Sequence, residues 1–277
     1  MGVSSVLRKG IMATTQTTNV YTDLTAEGDY LDGFVAGLGP EWDLPTPAPG
    51  WTVAHQVAHL AFIFHLARLA ATDPPAFAAL AARAKAGFQQ AVDGALRQYM
   101  AEPRARVLES WRRDRAESAA VLAAAPADKP VPWLVNPLPP SVLAAAGIME
   151  LFGHGQDVFD ALGVRREYTD RIGHLVWFAT RTRDFGYLAH GLEPPEAEFR
   201  YEITAPSGRL WAFGPEDAGQ RVTGPAVDFC LLVTRRRHRD DLAVTAVGAE
   251  ADHWLDIAQA YRGPAGAGRR PGQFAGR

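Results

Sequence analysis

Apolar residues recur at the spacing of α-helices through the first half of the chain, and prolines separate the resulting segments. The pattern predicts four long helices, at about 24–38, 52–73, 104–125 and 141–162, with a further helical stretch at 75–100. A proline-rich loop at 126–140 is the long crossover, and Gly163 ends the last helix. Four long helices connected in this way are typical of a helical bundle.

The pattern changes after Gly163. A helix is predicted over 170–190, after which residues 198–204 alternate with a period of two, a turn follows at 205–208, and 209–213 return as a second strand. A buried helix at 227–234, a strand at 242–247 and a closing helix at 249–261 complete an α+β region. We therefore predict a disordered lead (1–21), a helical bundle (22–165), an α+β domain (166–265) and a loose tail (266–277).

Composition narrows the class of protein. A chain of 277 residues with 47% apolar and 21% charged residues can bury a core in each of two domains. The formal charge of −3 argues against a general nucleic-acid binder. Cys230 is the single cysteine, which excludes an internal disulfide or a thiolate cluster, and we found no apolar stretch long enough to cross a membrane. These features predict a cytoplasmic protein with no nucleic-acid or membrane partner, and leave monomer and homodimer open.

Two of the predicted helices carry metal-ligating side chains at helical spacing. His55 and His59 lie four residues apart on one helix, and Glu150 and His154 lie four apart on the other, with Asp157 one turn further on. If the two helices face each other, the set matches a site of two histidines and one carboxylate. An inward carboxylate without a cation would be strongly desolvated. Spacing alone also allows these to be ordinary hydrogen-bonded histidines, as we expect for His65, His174, His190, His238 and His253.

Several other features have both a functional and a structural interpretation. The basic run 235–239 could bind an anionic substrate or a thiol cofactor, with Arg236 and Arg237 as the donors, or could be a solvated surface. Asp157 could orient a liganding imidazole, or could be a helix-surface or capping carboxylate, and with His55 it is a candidate catalytic residue. Trp51, Trp133 and Trp211 could line a pocket or pack in the core.

The segments PGWTVAHQVAHL (49–60), ATDP (71–74) and MELFGHGQDV (149–158) together resemble the mycothiol-dependent maleylpyruvate isomerase family of DinB-like metalloproteins. They are most similar to a branch of metal-binding proteins whose activity is undefined. Two C-terminal segments, VTGPAVDFCLLVT (222–234) and WLDIAQAY (254–261), resemble the same branch. The resemblance covers about residues 22–270.

This resemblance implies a DinB-like four-helix bundle followed by a small α+β domain similar to sterol carrier proteins. It also implies that His59, Glu150 and His154 bind a divalent metal ion, most commonly Zn²⁺. Family members of known activity bring a low-molecular-weight thiol, mycothiol, to that metal. A metal-bound thiol is deprotonated at neutral pH and can add to an activated alkene, allow a bond to rotate, and leave.

The chain departs from the family pattern around the ligands. His55 and Phe64 stand where an aspartate is expected, the segment 144–147 lacks the expected hydroxyl groups and arginine, and the loop 132–140 is more apolar. We therefore predict a metal-dependent enzyme that uses the ion as a Lewis acid on a small, fairly apolar substrate, with weak or absent mycothiol binding. The alternatives are a mycothiol-dependent isomerase or S-transferase, a hydrolase using zinc-bound hydroxide, and a non-catalytic ligand carrier.

Overall fold

The computed structural model describes residues 19–86, 88–134 and 136–274, which divide into two compact units between Arg166 and Glu167. Most of the predicted lead, residues 1–18, lies outside the described residues, as do the last three residues of the predicted tail. The first helix begins at Val20, earlier than the hydrophobic pattern indicated. The side-chain oxygen of Asn19 accepts hydrogen bonds from the backbone N–H groups of Tyr21 and Thr22, which fixes this start.

The N-terminal unit is a helical bundle. Its helices are α1 (Val20–Val35), α2 (Val53–Thr72), α3 (Pro74–Ala86), α4 (Phe88–Met100), α5 (Arg104–Ala124) and α6 (Pro140–Leu162). The stretch predicted as one helix at 75–100 is thus described as α3 and α4. α1 and α2 each pack against both α5 and α6, which confirms the predicted bundle of four long helices. α6 ends as predicted, because Gly163 adopts the left-handed conformation at φ 64°.

The bundle also encloses ionic groups that the sequence pattern did not indicate. The carboxylate of Asp114 on α5 is 1% exposed and lies 3.0–3.1 Å from nitrogen atoms of His65, Arg68 and Arg113. His65 therefore has the structural role expected of it. A second buried pair joins Glu27 on α1 to Arg166, whose guanidinium also donates to the carbonyl oxygen of Phe152 at 2.7 Å. Both groups tie helices together through buried hydrogen bonds.

The C-terminal unit combines helices with a four-stranded sheet. Its elements are α7 (Gly173–Arg181), α8 (Asp184–Ala189), β1 (Phe199–Thr204), β2 (Leu210–Phe213), β3 (Gln220–Pro225), α9 (Ala226–Val233), β4 (Thr245–Val247) and α10 (Ala249–Ile257). The sheet order is β2-β1-β3-β4, with β1 antiparallel to β2 and parallel to β3, and β4 antiparallel to β3. The predicted hairpin is confirmed. No helix within the described residues is long and apolar enough to cross a bilayer.

Two elements of this unit differ from the sequence prediction. The central strand β3 was not predicted, because Gly224 and Pro225 end its short alternation and read as the start of a helix. The helix predicted at 170–190 is divided into a 3₁₀ turn, α7 and α8. The division falls at Arg183, whose carbonyl oxygen accepts a hydrogen bond from Trp254 Nε1 and whose guanidinium donates to the backbone of Pro195 and Ala197. These long-range bonds hold the chain out of a continuous helix.

Candidate metal centre

Helices α2 and α6 bring three potential metal ligands together. His59 lies on α2, and Glu150 and His154 lie one turn apart on α6. The Nε2 atoms of His59 and His154 are 3.5 Å and 3.2 Å from Glu150 Oε2, and all three ligand atoms lie within 4.8 Å of one another. Among residues 19–86, 88–134 and 136–274, this is the one group of three such side chains with that convergence.

The spacing of these atoms suits a divalent ion. Ligands at about 2.0–2.1 Å from a tetrahedral zinc ion are about 3.3 Å from each other. The two histidine-to-glutamate distances, 3.5 and 3.2 Å, are close to that separation. The side chains are partly buried, with exposed fractions of 12% for His59, 20% for Glu150 and 15% for His154. The donor set of two nitrogens and one oxygen therefore fits a borderline metal with one position open to a further ligand.

Glu150 is held as a carboxylate. Burial raises the pKa of its carboxyl group, but hydrogen bonds and positive charge from His154 and His59 lower it by more, so that the net pKa is well below the ordinary value. The two imidazoles provide this stabilisation when they carry protons. A cation bound between the same atoms would provide it as well, since the carboxylate needs positive charge in a partly buried position.

A buried glutamine on α2 connects the site to Asp157. Gln56 Oε1 lies 2.6 Å from His154 Nδ1, and Gln56 Nε2 lies 3.0 Å from Thr46 Oγ1 and 3.4 Å from Asp157 Oδ2. The side chains of Gln56 and Asp157 are completely buried. Gln56 thus links Asp157 to the imidazole of His154 through hydrogen bonds to both residues. Asp157 was predicted from the sequence and Gln56 was not, although Gln56 is a polar residue three positions before His59 on the same helix.

Trp51 lies against the imidazoles. Its ring centroid is 5.4 Å from that of His59 and 5.9 Å from that of His154, and the Trp51 and His154 rings are nearly parallel at 23°. The other two tryptophans named from the sequence pack elsewhere. Trp133 stacks on Phe77 at 5.9 Å, and the buried Trp211 lies against Gly173 in the C-terminal unit. Of the three, Trp51 is the one that contacts the candidate ligands.

His55 takes part in starting helix α2. Its Nδ1 accepts a hydrogen bond from the backbone N–H of Thr52 at 3.2 Å and lies 2.9 Å from the Thr52 hydroxyl oxygen, in the arrangement of a capping box. Burial lowers the pKa of His55, which favours the neutral ring that this cap requires. His55 is not one of the three converging ligands. Its proposed catalytic role rests on the sequence alone.

The basic run after α9 is bound into the C-terminal unit. Arg236 donates to the carbonyl oxygen of Thr234, and Arg237 donates to that of Arg236 and lies over the ring of Phe274 at 3.7 Å. Arg239 pairs with two aspartates of α10, Asp252 and Asp256. The guanidinium groups therefore make local contacts within the unit, and any role in holding a cofactor would compete with them.

The apolar departures from the family pattern pack against one another. Phe64 is 2% exposed, and a Cβ atom placed on Gly147 would lie 3.6 Å from Phe64 Cε1 and 3.0 Å from Leu24 Cδ1. Ala144 and Ala145 are also completely buried. The polar groups expected at these positions are thus replaced by close helix packing in the core.

Comparisons with known proteins agree with this fold. The family model described as the mycothiol maleylpyruvate isomerase N-terminal domain matches residues 24–159, and a model described as wyosine base formation matches residues 195–247, which include the four strands. The crystal structure of the mycothiol-dependent maleylpyruvate isomerase superposes with a TM-score of 0.54 at 13% identity, covering 85% of this chain and 95% of that one. A histidine-to-alanine mutant of that enzyme gives the same values.

Two relatives come from Mycobacterium tuberculosis. They are the uncharacterized protein Rv0036c of strain H37Rv and the uncharacterized protein MT0041 of strain CDC 1551. Each is 45% identical over 248 residues, which cover 89% of this chain and 96% of the relative. With this identity over nearly the whole length of both relatives, and with the family match across its helical bundle, the chain belongs to the mycothiol-dependent maleylpyruvate isomerase family of DinB-like proteins.

Proposed function

We propose that the chain is a divalent-metal-dependent enzyme that acts on a small, fairly apolar organic molecule. The reaction is an isomerisation, a cyclisation or the transfer of a thiol to that molecule. The observation that carries the proposal is the convergence of His59, Glu150 and His154, whose ligand atoms lie within 4.8 Å of one another. The family membership supports an enzyme of isomerase or thiol chemistry. We propose zinc as the ion, because two imidazoles and one carboxylate form a common catalytic zinc set.

A zinc ion at these ligands would act as a Lewis acid and would lower the pKa of a bound thiol or water. The protein's own residues prepare the position. Glu150 contributes negative charge, Gln56 fixes the ring of His154 by a hydrogen bond of 2.6 Å, and Trp51 covers one side of the two imidazoles. An apolar indole against the two imidazoles would favour an apolar substrate and restrict the access of water to a metal ion held there.

Whether a thiol takes part divides the proposal into two forms. The family match supports mycothiol as the thiol, and in that form Arg236 and Arg237 are the proposed donors to its polar groups. The buried packing of Phe64 against Gly147 supports direct action of the ion on the substrate, because polar contacts expected near the ligands are replaced by core. Loss of a buried hydrogen bond to a charged group weakens binding by about 1.5–3 kcal/mol. We favour the thiol-free form.

Two further functions use the same features. A hydrolase with a zinc-bound hydroxide would need the same three ligands. A non-catalytic carrier would hold an apolar ligand, in keeping with a C-terminal domain that we propose to be similar to sterol carrier proteins. We further propose that the protein works in the cytoplasm, since a chain with a single cysteine, Cys230, does not depend on an internal disulfide.

Elemental analysis of protein purified without added metal tests the central proposal. We expect about one divalent ion per wild-type chain and a large loss in His154→Ala. A wild-type protein that neither contains nor binds a divalent ion would refute it.

Calorimetric titration of the zinc-loaded protein with mycothiol then separates the thiol-dependent form of the proposal from the thiol-free form. Micromolar binding that is lost in His59→Ala and weakened in Arg236→Ala would establish the thiol-dependent form, and turnover of maleylpyruvate with mycothiol would exclude a carrier.

A further inference from the structure

We propose that Gln56, held by Thr46 and Asp157, is a positioning residue that fixes the tautomer of His154 and so prepares its Nε2 for the metal ion. The inference rests on the metal centre of the proposed function. It concerns how tightly that centre binds its ion before any substrate is present.

The partners of Gln56 determine which way its amide points. Thr46 Oγ1 donates its hydrogen to the carbonyl oxygen of Trp51 at 2.9 Å, so that this hydroxyl can only accept from Gln56. Asp157 is a second acceptor, 3.4 Å from the same Gln56 nitrogen. An amide NH₂ group has two hydrogens to donate, and here it meets two acceptors. The amide oxygen of Gln56 is therefore the atom that faces His154.

The amide orientation in turn determines the protonation of the His154 ring. An amide oxygen can only accept, and it lies 2.6 Å from His154 Nδ1, so that Nδ1 carries the hydrogen. In the neutral ring the lone pair then lies on Nε2, which is 3.2 Å from Glu150 Oε2. Two electron-rich atoms at that distance repel each other unless a proton or a metal ion lies between them. The relay from Asp157 through Gln56 thus prepares Nε2 to bind a cation.

The second imidazole has no comparable support. The Nδ1 of His59 is buried and has no hydrogen-bond partner within the described residues. Its tautomer is set by the ion or by the neighbouring carboxylate rather than by a fixed acceptor. We therefore assign His154 as the ligand that is oriented in advance. Loss of Gln56 should weaken metal binding even though all three ligands remain.

The test compares zinc affinity in Gln56→Leu and in the matched control Gln156→Leu, measured on the full chain by competition with a chelator. Gln156 is also buried, and its amide nitrogen donates to Asp160 Oδ1 at 3.0 Å, one turn along α6. Loss of an outer hydrogen bond to a metal-bound histidine weakens metal binding about 10–100-fold. We expect that loss in Gln56→Leu, and wild-type affinity in Gln156→Leu.

A charge exchange and a spectroscopic measurement separate this role from general destabilisation. Gln56→Glu alone places two buried carboxylates together, whereas the double variant Gln56→Glu with Asp157→Asn keeps one negative charge and an acceptor for His154. We expect zinc affinity to return in the double variant. Nitrogen chemical shifts of histidine in zinc-loaded wild-type protein should show Nδ1 of His154 protonated, and metal-free Gln56→Leu should show a mixture of tautomers.

The outcomes distinguish this inference from the proposed function. If wild-type protein binds zinc and His154→Ala does not, but Gln56→Leu binds as tightly as wild type, the inference is wrong and the metal centre stands. Metal-free wild-type protein in which Nδ1 of His154 carries no hydrogen would also overturn the inference. If wild type binds neither zinc nor any other divalent ion, the proposed function itself is wrong.

Discussion

Trp51 and His154 are separated by about one hundred positions in the chain, yet their rings stack with centroids 5.9 Å apart and planes at 23°. The contact places an indole directly against a candidate metal ligand. Trp51 is therefore a useful optical reporter for the site. Cys230, the one thiol that could also bind a metal ion, lies in the other unit.

Cobalt binding should therefore quench the fluorescence of Trp51. Co²⁺ can replace Zn²⁺ at nitrogen and oxygen ligands and quenches nearby indoles. We expect a saturable decrease in wild-type emission that is mostly absent in Trp51→Phe. Trp133→Phe is the matched control, since Trp133 stacks on Phe77 and contacts none of the three ligands. Equal quenching in wild type and Trp51→Phe would contradict the position of the ion that we propose.

Zinc should stabilise the wild-type protein and not the ligand variants. An ion at about 100 times its dissociation constant raises the free energy of unfolding by about 2.7 kcal/mol if it binds the folded state alone. We expect this gain in wild type, measured by urea unfolding with and without zinc, and its loss in His59→Ala and Glu150→Gln. His65→Ala is the control from the same helix, because His65 pairs with Asp114 instead. A zinc effect that persists in Glu150→Gln would remove Glu150 from the ligand set.

The His55 cap predicts a pH dependence of stability. Because burial lowers the folded-state pKa of His55, the unfolded chain takes up a proton first as the pH falls. The cap contributes its full stability above the unfolded-state pKa near 6.5 and loses it as the pH falls through the folded-state pKa. His55→Gln keeps a capping-box residue without a titrating ring, so we expect wild-type stability at pH 8 and a smaller loss towards pH 5.

The same variant tests a catalytic role for His55. Thr52→Ala should cost about 1 kcal/mol of stability through loss of the cap, and His55→Gln should leave zinc affinity unchanged. Denaturant unfolding measures the stability of each variant, and competition with a chelator measures its zinc affinity. A loss of turnover in His55→Gln at unchanged stability and zinc affinity would show that the ring acts in the reaction.

Asp114 should be essential for the stability of the bundle. Removing one partner from a buried ionic group costs about 3–5 kcal/mol, because the remaining charges are left without compensation. We expect a loss of that size in Asp114→Ala. Arg106→Ala, which breaks an exposed pair with Glu109, should change stability by less than about 1 kcal/mol. A small effect of Asp114→Ala would mean that water replaces the carboxylate easily.

Acid unfolding gives a second measure of the same group. Burial raises the pKa of Asp114, but hydrogen bonds and charges from His65 and Arg113 lower it by more, so its net pKa is below the ordinary value. The carboxylate therefore contributes stability above an unfolded-state pKa of about 3.9, and the contribution is lost as the pH falls through the folded-state value. Over that range the wild type should lose more stability than Asp114→Ala.

Local signals in the sequence were enough to predict most helices and the hairpin. The helical repeat of apolar residues placed α2 and α6, and Gly163 ended α6. The period-two alternation placed β1, and the turn after it placed β2. These features depend on neighbours within a few positions, where backbone geometry alone decides which side chains share a face. The placement of Glu150 and His154 on one face of α6 was predictable for the same reason.

Tertiary structure decided the features that join distant segments. The strand β3 has a weak pattern of its own and forms because β1 and β4 supply its hydrogen bonds on both sides. Gln56 connects to Asp157, 101 positions away, only because α2 and α6 pack together. A buried hydrogen bond depends on which atoms face each other across an interface, and the sequence pattern of either helix alone does not contain that information. The sequence determined which residues could bind a metal ion, and the packing of α2 against α6 determined which of them converge.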